Sequence, residues 1–420
     1  MGRDLDPDGE ARRRDGAGTM IGLALGSGLA ALAAPGLAGW LGLRSRGLDR
    51  CFLDYVRDFP RRGPARPGEP VHVLLCIADH YEPKFGDAPP QLASRRVANW
   101  VEAYPRLFAG FRDSDGRPPR HTFFYPAEEY EPAYLDELAG LCRAGFGEVE
   151  VHLHHHDDTS ANLRRTLLEF KETLAGRHGL LARRRDTGEV AYGFIHGNWA
   201  LDNSRPDGRF CGVNDEIDIL RETGCYADFT MPSAPDRCQT RTINRIYYAN
   251  DDPRRPRSHD RGCEIGHAPP PEAGLMMIQG PLVLDWACPK WRILPRLENG
   301  CLQGNQAPSM ARLDNWLRVR IQVRSRPDWF FVKLHTHGTQ ESIQKILLGE
   351  PMVQFHRSLF ERMDRDPNFH VHYVTAREMY NLAKAAEEGH VGTIAEARDH
   401  SLTSNLQSAS AVTRLFETSP

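Results

Sequence analysis

Apolar and polar positions alternate along the chain in a repeating order: a short apolar run, then a longer stretch with apolar residues at helical spacing. The pattern predicts strands over residues 71–77, 121–125, 148–153 and 190–195, with helices over 91–108, 132–143, 160–175 and 214–223. It continues with strands over 226–230, 275–279, 329–334 and 369–374, and helices over 310–323, 352–363 and 376–387. Strands separated by crossover helices predict an α/β fold with a parallel sheet. The length of the run suits a β/α barrel of about seven or eight strands better than an open sheet. Residues 203–273 are rich in Pro, Arg and Asp, and most of the second half of this stretch reads as a long insertion after the fourth strand, over one end of the barrel.

The ends differ from this core. Residues 1–18 are polar and charged and read as a disordered tail, 44–70 as a Pro/Arg-rich linker, 71–388 as the barrel domain, and 389–420 as a loose tail. Residues 19–43 carry no charge and are just long enough for a membrane span, which needs about 20 apolar residues. Three readings fit: a membrane anchor, a secretory signal with Arg12–Arg14 ahead of it, or an extension of a soluble protein. The arginines that follow, Arg44, Arg46 and Arg50 among them, favour a membrane-associated protein with its barrel in the cytoplasm; soluble cytoplasmic and exported forms are the alternatives.

Composition narrows the function. With 53 basic against 56 acidic residues there is no basic excess, which argues against nucleic acid as a partner. The nine cysteines are odd in number and contain no C-x-x-C pair, so neither a disulfide framework nor a structural zinc site is indicated. That fits a reducing compartment.

Candidate chemistry collects where the predicted strands end, the side of a barrel that carries active sites. The first strand runs into Asp79-His80-Tyr81-Glu82, and the second into Tyr125 and Glu128-Glu129. The third ends in His152-Leu153-His154-His155-His156-Asp157-Asp158, the fourth in His196-Gly197-Asn198-Trp199, and a late strand in His335-Thr336-His337. Alternation puts Glu150, His152, His154 and His156 on one strand face. A row of imidazoles beside carboxylates is a poor core and a good donor set for zinc-like ions. Asp79, His152, His154 and His156 are thus candidate metal ligands. His335 and His337 are candidates for a general acid or for further ligands, because imidazole titrates near neutrality. Trp199 is a candidate plate for a sugar ring, and if the substrate is a sugar, Tyr81, Tyr125 and Asn198 are the further contacts expected at these strand ends.

At these residues the chain resembles the polysaccharide deacetylases of carbohydrate esterase family four, over about residues 71–388. Cys76-Ile77-Ala78-Asp79-His80 falls where that family has T-F-D-D-G, His152 and His156 match the spacing of its H-(S/T)-x-x-H, and Leu334 to His337 sits like its late L-x-H. The resemblance implies a distorted β/α barrel and a divalent metal, most naturally Zn²⁺, on Asp79, His152 and His156. It also implies removal of acetyl groups from an acetylated glycan or a lipid-linked sugar. Ala78 departs from the pattern where the family has its catalytic Asp, and Leu153 replaces its Ser/Thr. The base must then come from His80, Glu82, Asp157 or Asp158, or the chemistry differs. Two other readings stand beside this one: a metal-free glycoside hydrolase using paired carboxylates such as Glu129 and Asp202, and a degenerate glycan-binding or assembly module.

Overall fold

In a computed structural model, which describes residues 39–45, 47–64, 68–290 and 294–406, the apolar runs form the predicted α/β architecture. The strands are β1 (Val71–His80), β2 (His121–Pro126), β3 (Gly147–Leu153), β4 (Ala182–Arg184), β5 (Val190–His196), β6 (Cys225–Asp228), β7 (Ile246–Ala249), β8 (Cys263–Glu264), β9 (Leu275–Ile278), β10 (Val283–Lys290), β11 (Leu294–Glu298), β12 (Cys301–Leu302), β13 (Trp329–Thr336), β14 (Phe369–Tyr373) and β15 (Leu402–Ser404). The main sheet runs β12-β13-β1-β2-β3-β5-β6-β9-β7-β8 and is parallel as far as β9. β1 is its axis. One edge pairs with β13 along the strand; the other pairs with β14 over Val71–Leu75 and with β2 over Ala78–His80. Strand β10 pairs with β11 in a separate hairpin.

The helices are α1 (Phe52–Arg57), α2 (Pro90–Phe108), α3 (Pro132–Arg143), α4 (Ser160–Glu172), α5 (Glu216–Glu222), α6 (Met310–Arg318), α7 (Glu341–Leu347), α8 (Glu350–Arg365), α9 (Ala376–Glu387) and α10 (Ile394–Ala397). Side-chain alternation along β1 separates two cores. Val73, Leu75, Ile77 and Tyr81 face the helix layer with Val97, Trp100 and Leu138. Leu74, Cys76 and Ala78 face the concave side, against Phe124, Ile195 and the small residues of α9. Helix α9 starts at a reciprocal cap between Thr375 and Glu378 and is buried along almost its whole length: its Ala and Leu residues pack on the sheet, and its polar Arg377, Glu378 and Asn381 are bonded to Glu148 and Arg398. The sheet is strongly curved. Lys333 on β13 donates from Nζ to the carbonyls of Phe229 and Met231, just past β6, at 2.6 and 2.7 Å. Among the described residues no ladder joins the β12 and β8 ends of the sheet.

Several expectations change. Part of the stretch read as an insertion belongs to the sheet, because β7 pairs antiparallel with β9, and β8 with β7. The helix expected over 310–323 stops at Arg318, beyond which Ile321 accepts a backbone hydrogen bond from Phe331. Residues 44–70 are not all linker: Cys51 packs with Ala234, Ile243 and Leu282, and Asp58 pairs with Arg245. Nor is the chain loose over 389–406, while the rest of the expected tail, 407–420, lies outside the described residues. Arg398 is buried among three carboxylates, and β15 pairs with β4. Residues 1–38 lie outside the described residues, and with them the tail and most of the apolar segment 19–43. No helix among the described residues is long and apolar enough to cross a membrane.

Candidate metal centre

His80 is the last residue of β1 and continues the concave-facing series of Leu74, Cys76 and Ala78. Glu82 follows two residues later. His152 lies on β3, where its Nδ1 hydrogen-bonds the Ile195 carbonyl at 2.8 Å, so its Nε2 is turned inward, 3.2 Å from Glu82 Oε1. His80, Glu82 and His152 are all buried, and one donor atom from each lies within 4.8 Å of the others. Around them stand four more rings. His337 stacks on His80 with centroids 4.7 Å apart, and Trp199 lies 6.1 Å from His80 and 6.2 Å from His337. His154 packs edge-on to His152 at 4.6 Å, its Nε2 is 3.6 Å from Glu82, and its Nδ1 bonds Glu128 at 2.5 Å. His335 is buried on the same face of β13 as Lys333, with Nδ1 lacking a partner.

The electrostatics suit a cation. Burial, then the imidazoles of His337 and His152, hold His80 well below the usual histidine range, so it offers a neutral lone pair. Burial pushes Glu82 up, but its hydrogen bond to His152 and the surrounding rings outweigh this and keep it an anion. Burial lowers His337, and Glu82 and Asp79 offset part of that. Burial also lowers His154, yet Glu128 and Glu82 overcome it and raise the ring above its ordinary value. The loop that brings Trp199 holds four non-glycine residues at positive φ: Asn198 (55°), Trp199 (57°), Asp202 (52°) and Asn203 (49°). Such backbone strain concentrates at functional sites.

Other sequence candidates fall elsewhere. Asp79 does not join the donor group. One residue from His80 along a strand, it faces the helix layer, where Oδ1 accepts from the Gly338 N–H at 2.6 Å and Oδ2 meets His121 Nε2 at 2.9 Å. The anchor leaves no room, since a Cβ on Gly338 would come within 2.1 Å of Asp79 Oδ2. Tyr81 shares that side, edge-on to Trp100 and Phe123, and Tyr125 is buried with its hydroxyl on the Glu129 carbonyl, so both rings are packed in the helix-layer core. Strand β3 ends at Leu153, so the alternation does not carry on to His156. His156 is half exposed, beside Asp157 and Phe210, and Asp157 projects into solvent. Asn198 stays beside Trp199, half-buried.

The carboxylates of a metal-free glycosidase are also committed elsewhere. Asp202 is fully buried with Oδ2 on the Ser258 N–H, and Glu129, pushed up to about 7 chiefly by burial, accepts from the Lys84 N–H. A further group, Asp113, Asp115 and His372, already has its countercharge in Arg398. From sequence, Glu82 stands only as a candidate base. Its place in the donor group follows from the extended chain just past β1, where Tyr81 turns into the helix layer and Glu82 to the side of His80. A scan of protein-family models and a search of curated proteins return no match for the chain.

Proposed function

We propose that this chain is a metal-dependent hydrolase of the polysaccharide-deacetylase kind, removing acetyl groups from an acetylated sugar, glycan or lipid-linked sugar. The observation that carries this reading is the convergence of His80, Glu82 and His152 at the C-terminal ends of β1 and β3. Two imidazoles and a carboxylate form a catalytic zinc donor set. The curl that brings Lys333 to the β6 end supports a barrel-like architecture around this mouth. A divalent cation held there supplies Lewis-acid polarisation of an acyl carbonyl and acidifies water.

The chain's own groups move the protons. His154, between Glu128 and Glu82, is set up as an imidazolium that donates to the leaving amine or alkoxide. This takes the acid's part from His335 and His337, whose burial keeps them neutral. Neutral His337 accepts the proton of the attacking water, a role the family gives to the Asp that Ala78 replaces. Trp199 offers an apolar plate for the sugar ring.

The test is acetate release from N-acetylated chito-oligosaccharide and O-acetylated xylan. Release is expected with Zn²⁺, suppressed by a chelator and lost in His152→Ala. No release from either substrate by zinc-loaded protein, or release indifferent to chelator and to His152→Ala, contradicts the reading.

A further inference from the structure

The helix-facing side of the β5 end carries a second group of donors that the proposed reaction does not use. His196 closes β5 on the side of Phe194, whose ring lies 6.4 Å away. His155 comes from the loop after β3, and Glu216 opens α5. One donor atom from each lies within 4.8 Å of the others. Each side chain has its remaining atom tied off. His155 Nδ1 is 3.1 Å from Asp158, which turns Nε2 to within 3.2 Å of Glu216 Oε1. His196 Nδ1 donates to the Gly197 carbonyl, leaving Nε2 as the lone-pair atom. Glu216 Oε2 accepts the Asp202 N–H at 2.6 Å, which leaves Oε1 between the two rings. Carboxylate and carbonyl partners of this kind fix the tautomers of metal-binding histidines. Gly212 completes the cradle, since a Cβ there would come within 2.1 Å of the His155 ring.

One contact is unfavourable as it stands. His196 is fully buried, its Nε2 has no hydrogen-bond partner, and it faces Glu216 Oε1 at 3.6 Å. Two lone pairs opposed in a site closed to water are costly unless a cation lies between them. A proton on His155 satisfies Glu216 from one side and leaves His196 as it was. A metal ion satisfies all three. We propose that His155, His196 and Glu216 hold a second divalent cation, of the zinc class that imidazole and carboxylate suit. The ion ties the β3–α4 loop, the end of β5 and the start of α5 together, and so steadies the loop from which His154 reaches the first site.

The full chain, stripped by a chelator and reloaded with Zn²⁺, is assayed by plasma mass spectrometry after gel filtration. Wild type is expected to hold about two ions, and about one is expected in Glu82→Gln and in His155→Gln. The melting temperature of stripped Glu82→Gln should rise when Zn²⁺ is restored, and that rise should vanish once His155→Gln is added. No ion in Glu82→Gln, or a wild-type ion count in folded His155→Gln, overturns the proposal. If His155→Gln does not fold, Glu82→Gln decides alone: about one ion supports the second site, and none overturns it. A single wild-type ion lost only in His155→Gln upholds this site and overturns the first.

Discussion

Glu82→Gln is expected to remove the ion held at the first site and to cut acetate release by more than ~10²-fold, since loss of even an outer-shell partner typically costs 10–100-fold. The substitution keeps the shape of the side chain and changes its charge. The new amide still reaches His152, its N–H donating to the Nε2 lone pair, and the Glu82 backbone carbonyl that accepts from Thr339 Oγ1 at 2.7 Å is untouched. Folding should therefore survive, and the loss should be in metal and turnover. Asp79→Asn is the matched control. That carboxylate is close in sequence but bonded to Gly338 and His121 on the other face. The variant should retain the ion while losing stability, about 1–3 kcal/mol for a buried bond left unmatched. Metal analysis of the two variants side by side, with urea midpoints, checks both halves. Loss of metal in Asp79→Asn with retention in Glu82→Gln would return the ligand role to Asp79.

Arg398→Met is expected to destabilise the fold by about 3–5 kcal/mol, because it leaves buried carboxylates without their shared cation. Arg398 is 1% exposed and spends all its donors: Asp115 at 2.7 and 3.1 Å, Asp113 at 3.1 Å, Glu378 at 3.1 Å and the Tyr373 carbonyl at 2.8 Å. These partners lie on the turn after α2, on β14 and on α9, so one guanidinium pins the helix that fills the concave face. Burial pushes Glu378 up, but Arg120, Arg398 and Arg377 outweigh it and hold its carboxyl well below the usual range. Asp115 is likewise held down, against burial, by His372 and Arg398. Folded-state values below the unfolded ones make this stabilisation complete above the unfolded carboxylate range, at about pH 4–4.5 and higher, and lost as pH falls through the folded values. Wild type should thus weaken steadily below about pH 4.5, and Arg398→Met should show a shallower acid dependence. Urea titrations of both proteins across that range test this; identical acid slopes would contradict the assignment.

The order of strands and helices was legible because each core-facing residue repeats at the period of its element. The strand over 71–77 is a run of Val, Leu and Ile broken only by His72 and Cys76, and the helix over 376–387 repeats Met379, Leu382, Ala383 and Ala386 at helical spacing. The open-ended hydrogen bonding of the sheet was not legible, since alternation tells which face is buried and not which strands close on each other. Short strands such as β7 carry too few residues to show a period, so a region of the sheet read as an insertion. The C-terminal misreading has a different cause: Arg398 and the polar residues near it look solvated in composition, and only the fold reveals their partners. In the site, clustering of histidines pointed to the strand ends where His80, Glu82 and His152 come together. His152 and His80 meet, whereas Asp79 was placed by analogy with a motif and lies one residue out of phase. The His155–His196–Glu216 group joins residues from three separate elements, a proximity no spacing rule contains.

Anomalous X-ray scattering from crystals of the zinc-loaded protein locates the ion. A strong peak at the zinc edge is expected among His80, Glu82 and His152. No peak there in zinc-loaded crystals, or a peak on Asp79 instead, would contradict that placement.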